Sequence, residues 1–192
     1  MSEIIVMSYN IENMVSLFHN NQFALDKIEK VKSLEKIIIN QQPHILGIVE
    51  ASNKVKDHQY FIDNTGLADL DYMVGKSSHK RGKQDLVVYY REPFEIVSID
   101  DDINYYDEWI EDIDNDGIKE VCNFERKPME VIFRIKGSNI NFLVILVATK
   151  SKGVFSINDI INHQYLALAN RKKILAQSKK IRSRVNQLMD EK

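Results

Sequence analysis

Two side chains in the first fifty residues could do chemistry together. Ile4-Ile5-Val6-Met7 is apolar at successive positions and runs into Ser8-Tyr9-Asn10, while Ile45-Leu46-Gly47-Ile48-Val49 is apolar throughout and ends on Glu50. Runs that are apolar on both alternating faces read as strands covered on both sides. A core strand that finishes on a polar group places that group at the carboxyl rim of a sheet, where α/β proteins build their sites. If the two strands are neighbours, the Asn10 amide and the Glu50 carboxylate stand side by side. Such a donor set suits a hard divalent cation, which takes one or two carboxylates and keeps several waters. Read alone, a strand-end Glu is more often a helix cap or an ion-pair partner than a ligand.

Other chemistry-bearing patterns fail on their spacing. Gly75-Lys76-Ser77 imitates the end of a phosphate-binding loop, but the glycine required five residues before Gly75 is Leu70. Without it the backbone cannot cradle phosphates. Asp112-Ile113-Asp114-Asn115-Asp116-Gly117 resembles the opening of a calcium loop, yet its twelfth position is Asn123, where a bidentate Glu is wanted. An acidic β-turn around Asn115-Asp116-Gly117 is the simpler reading. His19, His44, His58, His79 and His163 show no pairing at metal-ligand spacing.

The elements that must position Asn10 and Glu50 follow from periodicity. From Gln22 to Gln41, Ala24, Ile28, Val31, Leu34 and Ile38 recur at helical spacing, and Pro43 ends the pattern. Strand, helix, strand in the first fifty residues reads as α/β. The middle is richer in strands: Tyr72 to Gly75, Leu86 to Tyr90, Phe94 to Ile99, and a hairpin of Met129 to Ile135 with Ile140 to Ala148. Asn158 to Met189 reads as one long helix or two abutting ones, with Asn158-Asp159 as a cap.

Composition bounds the rest. The 192 residues carry 26 Lys and Arg against 28 Asp and Glu, a net charge of −2, and a single Cys122. That balance gives no global pull toward nucleic acid, and one cysteine excludes an intramolecular disulfide or a cysteine-rich zinc site. Residues Asp100 to Glu125 hold eleven acids and one base, and Ile161 to the end holds eight bases and two acids. The plain expectation is an exposed acidic insertion and the solvated face of a basic helix. The opening Met-Ser-Glu-Ile shows no secretory signal, and the longest apolar run, Phe142 to Ala148, is too short to span a bilayer, so a soluble, cytoplasmic protein with no membrane partner is expected.

Five segments, in order, resemble signatures of the endonuclease/exonuclease/phosphatase superfamily, the group of DNase I. Met7-Ser8-Tyr9-Asn10-Ile11-Glu12-Asn13 is similar to its opening strand, and Gln42-Pro43-His44-Ile45-Leu46-Gly47-Ile48-Val49-Glu50 to "PDIIGLQE", whose final Glu binds the metal. Arg81-Gly82-Lys83-Gln84-Asp85-Leu86-Val87-Val88-Tyr89-Tyr90 is similar to "RGxDVALLY", and Arg126-Lys127-Pro128 to the Arg-x-Pro that opens a later strand. Ile145-Leu146-Val147-Ala148-Thr149-Lys150-Ser151-Lys152-Gly153 is similar to "VNHLKSKG". The resemblance implies part of a DNase I-like four-layer α/β sandwich, with mixed sheets and flanking helices, over a single domain spanning 1–192. It also implies a phosphodiesterase, nuclease or phosphatase that uses one Mg²⁺ or Mn²⁺ ion on a phosphoester, nucleic acid among the candidate substrates. By position, Glu50 would be the principal metal ligand and Asn10 would orient the metal or the phosphate. Asp85 and Arg126 would lie near the scissile phosphate.

Two departures qualify that expectation. Ala148 stands where the family has a site His, and alanine neither donates a hydrogen bond nor carries a proton. The family's later "GDFN" and "SDH" motifs occur nowhere in the sequence. A domain lacking the family's C-terminal portion is therefore expected, inactive or incomplete by itself, with one apolar sheet face left for a homodimer or a missing C-terminal half to cover. A fragment, a naturally short inactive relative and a chain completed by another all fit. The competing reading is a non-catalytic binding or scaffold module that keeps the fold.

Overall fold

The computed structural model describes residues 3–76, 84–149 and 160–191. They divide into two compact units, Met1–Asp101 with Pro128–Val147, and Asp102–Lys127 with Ala148–Lys192. Arg81 to Lys83 and Lys150 to Gly153 of the signature segments, Ser77, His79 and the Asn158-Asp159 cap lie outside the described residues.

In the first unit, β1 (Val6–Asn10) pairs in parallel with β4 (Ile45–Ser52), as the strand–helix–strand reading requires. Between them lie a 3₁₀ turn at Met14–Leu17, a two-residue hairpin of β2 (Phe18–His19) and β3 (Gln22–Phe23), and helix α1 (Ile28–Gln41). The helix therefore starts later than its periodicity suggests. Asn20 and Asn21 both adopt positive φ, 49° and 62°, and this tight turn claims the residues before Leu25. Val31, Leu34 and Ile38 bury the inner face of α1, and Gln42 closes it in the left-handed conformation just before Pro43.

After α2 (Val55–Asp63), strands β5 (Met73–Lys76) and β6 (Gln84–Tyr90) complete a four-stranded sheet of order β1-β4-β6-β5. β4 and β6 are central and buried on both faces. β1 is an edge strand whose residues alternate between exposed and half-buried, so the expectation of a doubly covered first strand fails for it. Leu46, Ile48, Ala51, Val87 and Tyr89 pack against α1 and α2.

The opposite face meets a three-stranded antiparallel sheet of order β11-β10-β7, built from β7 (Phe94–Asp100), β10 (Met129–Ile135) and β11 (Asn141–Leu146). The contact is close enough to require glycine. A methyl group on Gly47 would lie 2.7 Å from Leu146 Cδ1, and one on Gly75 would lie 2.9 Å from Val88 Cγ2 and closer still to Ile96. Mixed sheets with helices on an outer face match the expected fold class.

The second unit contains the acidic segment and the long helix. A hairpin of β8 (Trp109–Glu111) and β9 (Glu120–Cys122) encloses the acidic turn, with Asn115 at φ 60° and Gly117 at φ 85°. The helix α3 (Ile160–Asp190) is a single element of 31 residues. Ile113, Cys122 and Ala176 form its small apolar core with Trp109 against them. The plain reading of two solvated charge runs is incomplete, because acids and bases meet here. Lys172 Nζ lies 2.7 Å from Asp114, 3.0 Å from Glu120 and 3.5 Å from Asp116, and Lys179 reaches Glu111 at 3.3 Å. No described helix is long and apolar enough to cross a membrane.

Candidate functional site

The parallel pairing of β1 with β4 sets Asn10 opposite Val49, one residue before Glu50. On its other side β4 pairs with β6 antiparallel, and the register slips between Val49 and Ala51. Glu50 is the extra residue of that bulge, and it sits at φ 59°. Bulges re-aim a side chain at the end of a ladder, which is what happens here. Glu50 Oε1 accepts a hydrogen bond from Asn10 Nδ2 at 3.1 Å. Its Oε2 accepts from the backbone N–H of Asn13 at 3.0 Å and from Gln84 Nε2 at 3.3 Å. Asn10 is fixed in turn, since its Oδ1 accepts from the Glu12 N–H at 2.8 Å.

The chain turns sharply after β1, with Glu12 at φ 53° and Asn13 at φ 65°. That turn brings the Asn13 amide back over the Glu50 carboxylate. Glu12 leaves its own carboxylate exposed at the same rim, 3.8 Å from Lys30 Nζ. Sequence reasoning identified Asn10 and Glu50 but missed Asn13 and Gln84. Asn13 acts through its backbone, which no side-chain pattern reveals, and Gln84 reaches Glu50 only because of the bulge.

The arrangement gives a carboxylate whose partners, among the described residues, are three uncharged donors. Oxygen ligands that are hydrogen-bonded to no cationic side chain among the described residues are a donor set a hard divalent ion takes, so the residues present fit such an ion.

Asp85 is placed differently. It shares the face of β6 that carries Val87 and Tyr89 toward the helices. Its Oδ2 lies 2.9 Å from Lys76 Nζ and its Oδ1 accepts from the Leu86 N–H. Gln84, not Asp85, is the β6 residue that touches Glu50. Arg126 belongs to the second unit, in the bend between β9 and β10, and Ala148 follows β11 and is half-buried. The acidic turn brings carboxylate oxygens of Asp112, Asp114 and Asp116 within 4.8 Å of one another. Asp112 also accepts from the N–H groups of Asp116 and Gly117, and Lys172 supplies the compensating charge. The segment from Ile113 to Gly117 is a bend held through the Asp112 side chain.

Behind the bulge lies a sealed polar group of four. Ser52 and His58 have no exposed surface, Asp57 is buried, and Tyr89 is enclosed. The Ser52 hydroxyl donates to Asp57 Oδ2 at 2.5 Å, His58 Nε2 is 2.7 Å from the Ser52 carbonyl, and His58 Nδ1 is 2.8 Å from the Tyr89 hydroxyl. A carbonyl can only accept, so Nε2 carries the proton and Tyr89 donates to Nδ1. Burial pushes the His58 pKa below the ordinary imidazole value, which keeps the ring neutral, and burial likewise raises Tyr89.

No family model matches the chain, and no curated protein matches it. Solved structures do. A truncated TDP2 from Caenorhabditis elegans superposes with a TM-score of 0.52 at 15% identity, covering 98% of this chain and 57% of that one. A second C. elegans TDP2 structure gives 0.52 at 14% identity, over 98% and 44% of the two chains. An endonuclease/exonuclease/phosphatase from Bacteroides vulgatus gives 0.43 at 12% identity, over 76% and 52%. The chain thus spans about half the length of the structures it matches. The chain shares the fold of the C. elegans TDP2 structures, paired sheets with flanking helices of the DNase I-like kind.

Proposed function

We propose that this chain carries the metal-binding half of a divalent-cation-dependent phosphoester hydrolase site. The observation that supports this reading is the hydrogen-bonded pair of Asn10 and Glu50 at adjacent strand tips, 3.1 Å apart and aimed to the same rim. Glu50 would be the principal ligand to Mg²⁺ or Mn²⁺, with Asn10 orienting it. When bound, such an ion supplies Lewis-acid stabilisation of charge on a phosphoryl oxygen. The chain's own groups do the rest. Asn13 and Gln84 hold the carboxylate by its Oε2, which leaves the direction of Oε1 to Asn10. The substrate class is a phosphoester, with nucleic acid among the candidates.

The test is a Mn²⁺ titration of the chain and of Glu50→Gln, followed by release of product from a plasmid and from a generic phosphodiester. The reading expects binding that Glu50→Gln abolishes. Equal binding by both proteins would remove Glu50 from the role.

Ala148 favours a second reading, a non-catalytic binding module. A methyl group stands where an imidazole would carry a proton or hold a leaving oxygen, and each such contribution is worth orders of magnitude in rate. Turnover by the unmodified chain defeats this second reading, and turnover only in Ala148→His supports it.

A further inference from the structure

The Glu50 bulge does not hold itself. A residue with a Cβ meets a steric penalty in the left-handed region, where Glu50 sits at φ 59°. Such a conformation persists only where the surroundings over-determine it. Pairing fixes both neighbours, Val49 against Leu86 and Ala51 against Asp85, but the strand ends two residues after Glu50, at Ser52. Ser52 itself pairs with Gln84 of β6, and the buried group of four secures that end from the side of α2. Ser52 accepts from His58 through its carbonyl, and its hydroxyl donates to Asp57 and accepts from the Lys54 N–H at 3.2 Å. His58 and Asp57 both belong to α2, and Tyr89 belongs to β6, the strand that flanks the bulge. A single imidazole therefore ties the tip of β4 and the first turn of α2 to Tyr89, near the C-terminal end of β6.

We infer that His58 is a positioning residue for the Glu50 carboxylate, acting through Ser52; the inference rests on Glu50 being the cation ligand. Both ring nitrogens are bonded and the ring has no exposed surface, so the loss of either bond strands a buried polar partner. A network satisfied in this way is rigid, and its rigidity passes along two residues of backbone to the bulge. Partners that orient a ligand in this manner typically change metal affinity about 10–100-fold when removed.

The experiment measures Mn²⁺ affinity of the full chain by titration, with thermal unfolding run in parallel, for the unmodified protein, Glu50→Gln, His58→Phe and His58→Gln. Phenylalanine fills the ring's space and makes neither bond. Glutamine offers an amide that can donate to the Ser52 carbonyl and accept from Tyr89. The expected result is Mn²⁺ binding about tenfold weaker in folded His58→Phe and near-normal in His58→Gln. A role confined to stability would lower the unfolding temperature of His58→Phe and leave its affinity unchanged, which overturns the inference. If His58→Phe does not fold, Tyr89→Phe removes one hydroxyl only; a smaller weakening in the same direction supports the inference, and unchanged affinity overturns it. If the unmodified protein and Glu50→Gln bind Mn²⁺ equally, the ligand reading falls by itself. Amide exchange at Ala51 and Ser52 then decides the positioning: faster in His58→Phe but not in His58→Gln upholds it, and no change rejects it.

Discussion

Glu50 offers a prediction whose sign runs against ordinary strand behaviour. In a strand interior, glycine destabilises by about 0.5–1 kcal/mol relative to alanine. At position 50 the order should reverse, because the backbone there stands at φ 59°. Glu50→Gly and Glu50→Ala both forfeit the three hydrogen bonds from Asn10, Asn13 and Gln84, so that loss cancels between them. What differs is the left-handed conformation, which costs alanine about 1–2 kcal/mol and glycine nothing. Glycine's looser unfolded chain returns about 0.4–1 kcal/mol of that. At the middle of both ranges the net is a glycine variant more stable by about 0.8 kcal/mol. At the usual scaling for a chain of this size, that is about 1–4 °C in unfolding temperature. Urea unfolding of the two variants at equal slope reads it directly. Both variants should also lose Mn²⁺ equally, which separates the backbone effect from the ligand. An alanine variant as stable as the glycine variant, or more so, would refute the bulge and with it the reason Glu50 points where it does.

Two further outcomes follow from packing and from burial. Gly75→Ala would drive a methyl group into Val88 and Ile96 where the two sheets meet, and should cost about 1–3 kcal/mol in urea unfolding with the slope unchanged. His58 titrates below its ordinary value because burial disfavours the imidazolium; Asp57 and Asp85 oppose that shift, Lys76 reinforces it, and the Tyr89 hydroxyl faces Nδ1. The unfolded chain therefore takes up this proton first, so stability is fully present above about pH 6.5 and declines as the pH falls toward the folded-state value. Urea midpoints measured from pH 7 to 5 should fall more steeply for the unmodified protein than for His58→Gln.

Much of the fold was legible because its strands are marked by runs of apolar and β-branched residues. Met129–Ile135 was read to the residue, and β4, β6, β7 and β11 differ from their expected bounds only by a few residues. The helix before Ile28 was misread because Ala24 and Ile28 keep helical spacing while Asn20-Asn21, the turn that breaks it, is a local signal. For the site, Asn10 and Glu50 were visible as polar ends of apolar runs. Their juxtaposition was conditional on strand pairing, which only the fold supplies. The bulge, the Asn13 amide and the group behind Ser52 were invisible for one reason. Each depends on backbone geometry or on partners 31 to 37 residues away.

The four-stranded sheet is complete at Tyr90, whereas the sheet that covers its second face needs the chain as far as Leu146. Those 56 further residues take about 3–11 s to synthesise at typical rates. For that interval a nascent chain would carry its helices on one side and a bare apolar surface, centred on Leu86 and Val88, on the other. Delayed cover of this kind leaves the emerging chain prone to aggregate until β10 and β11 have been made.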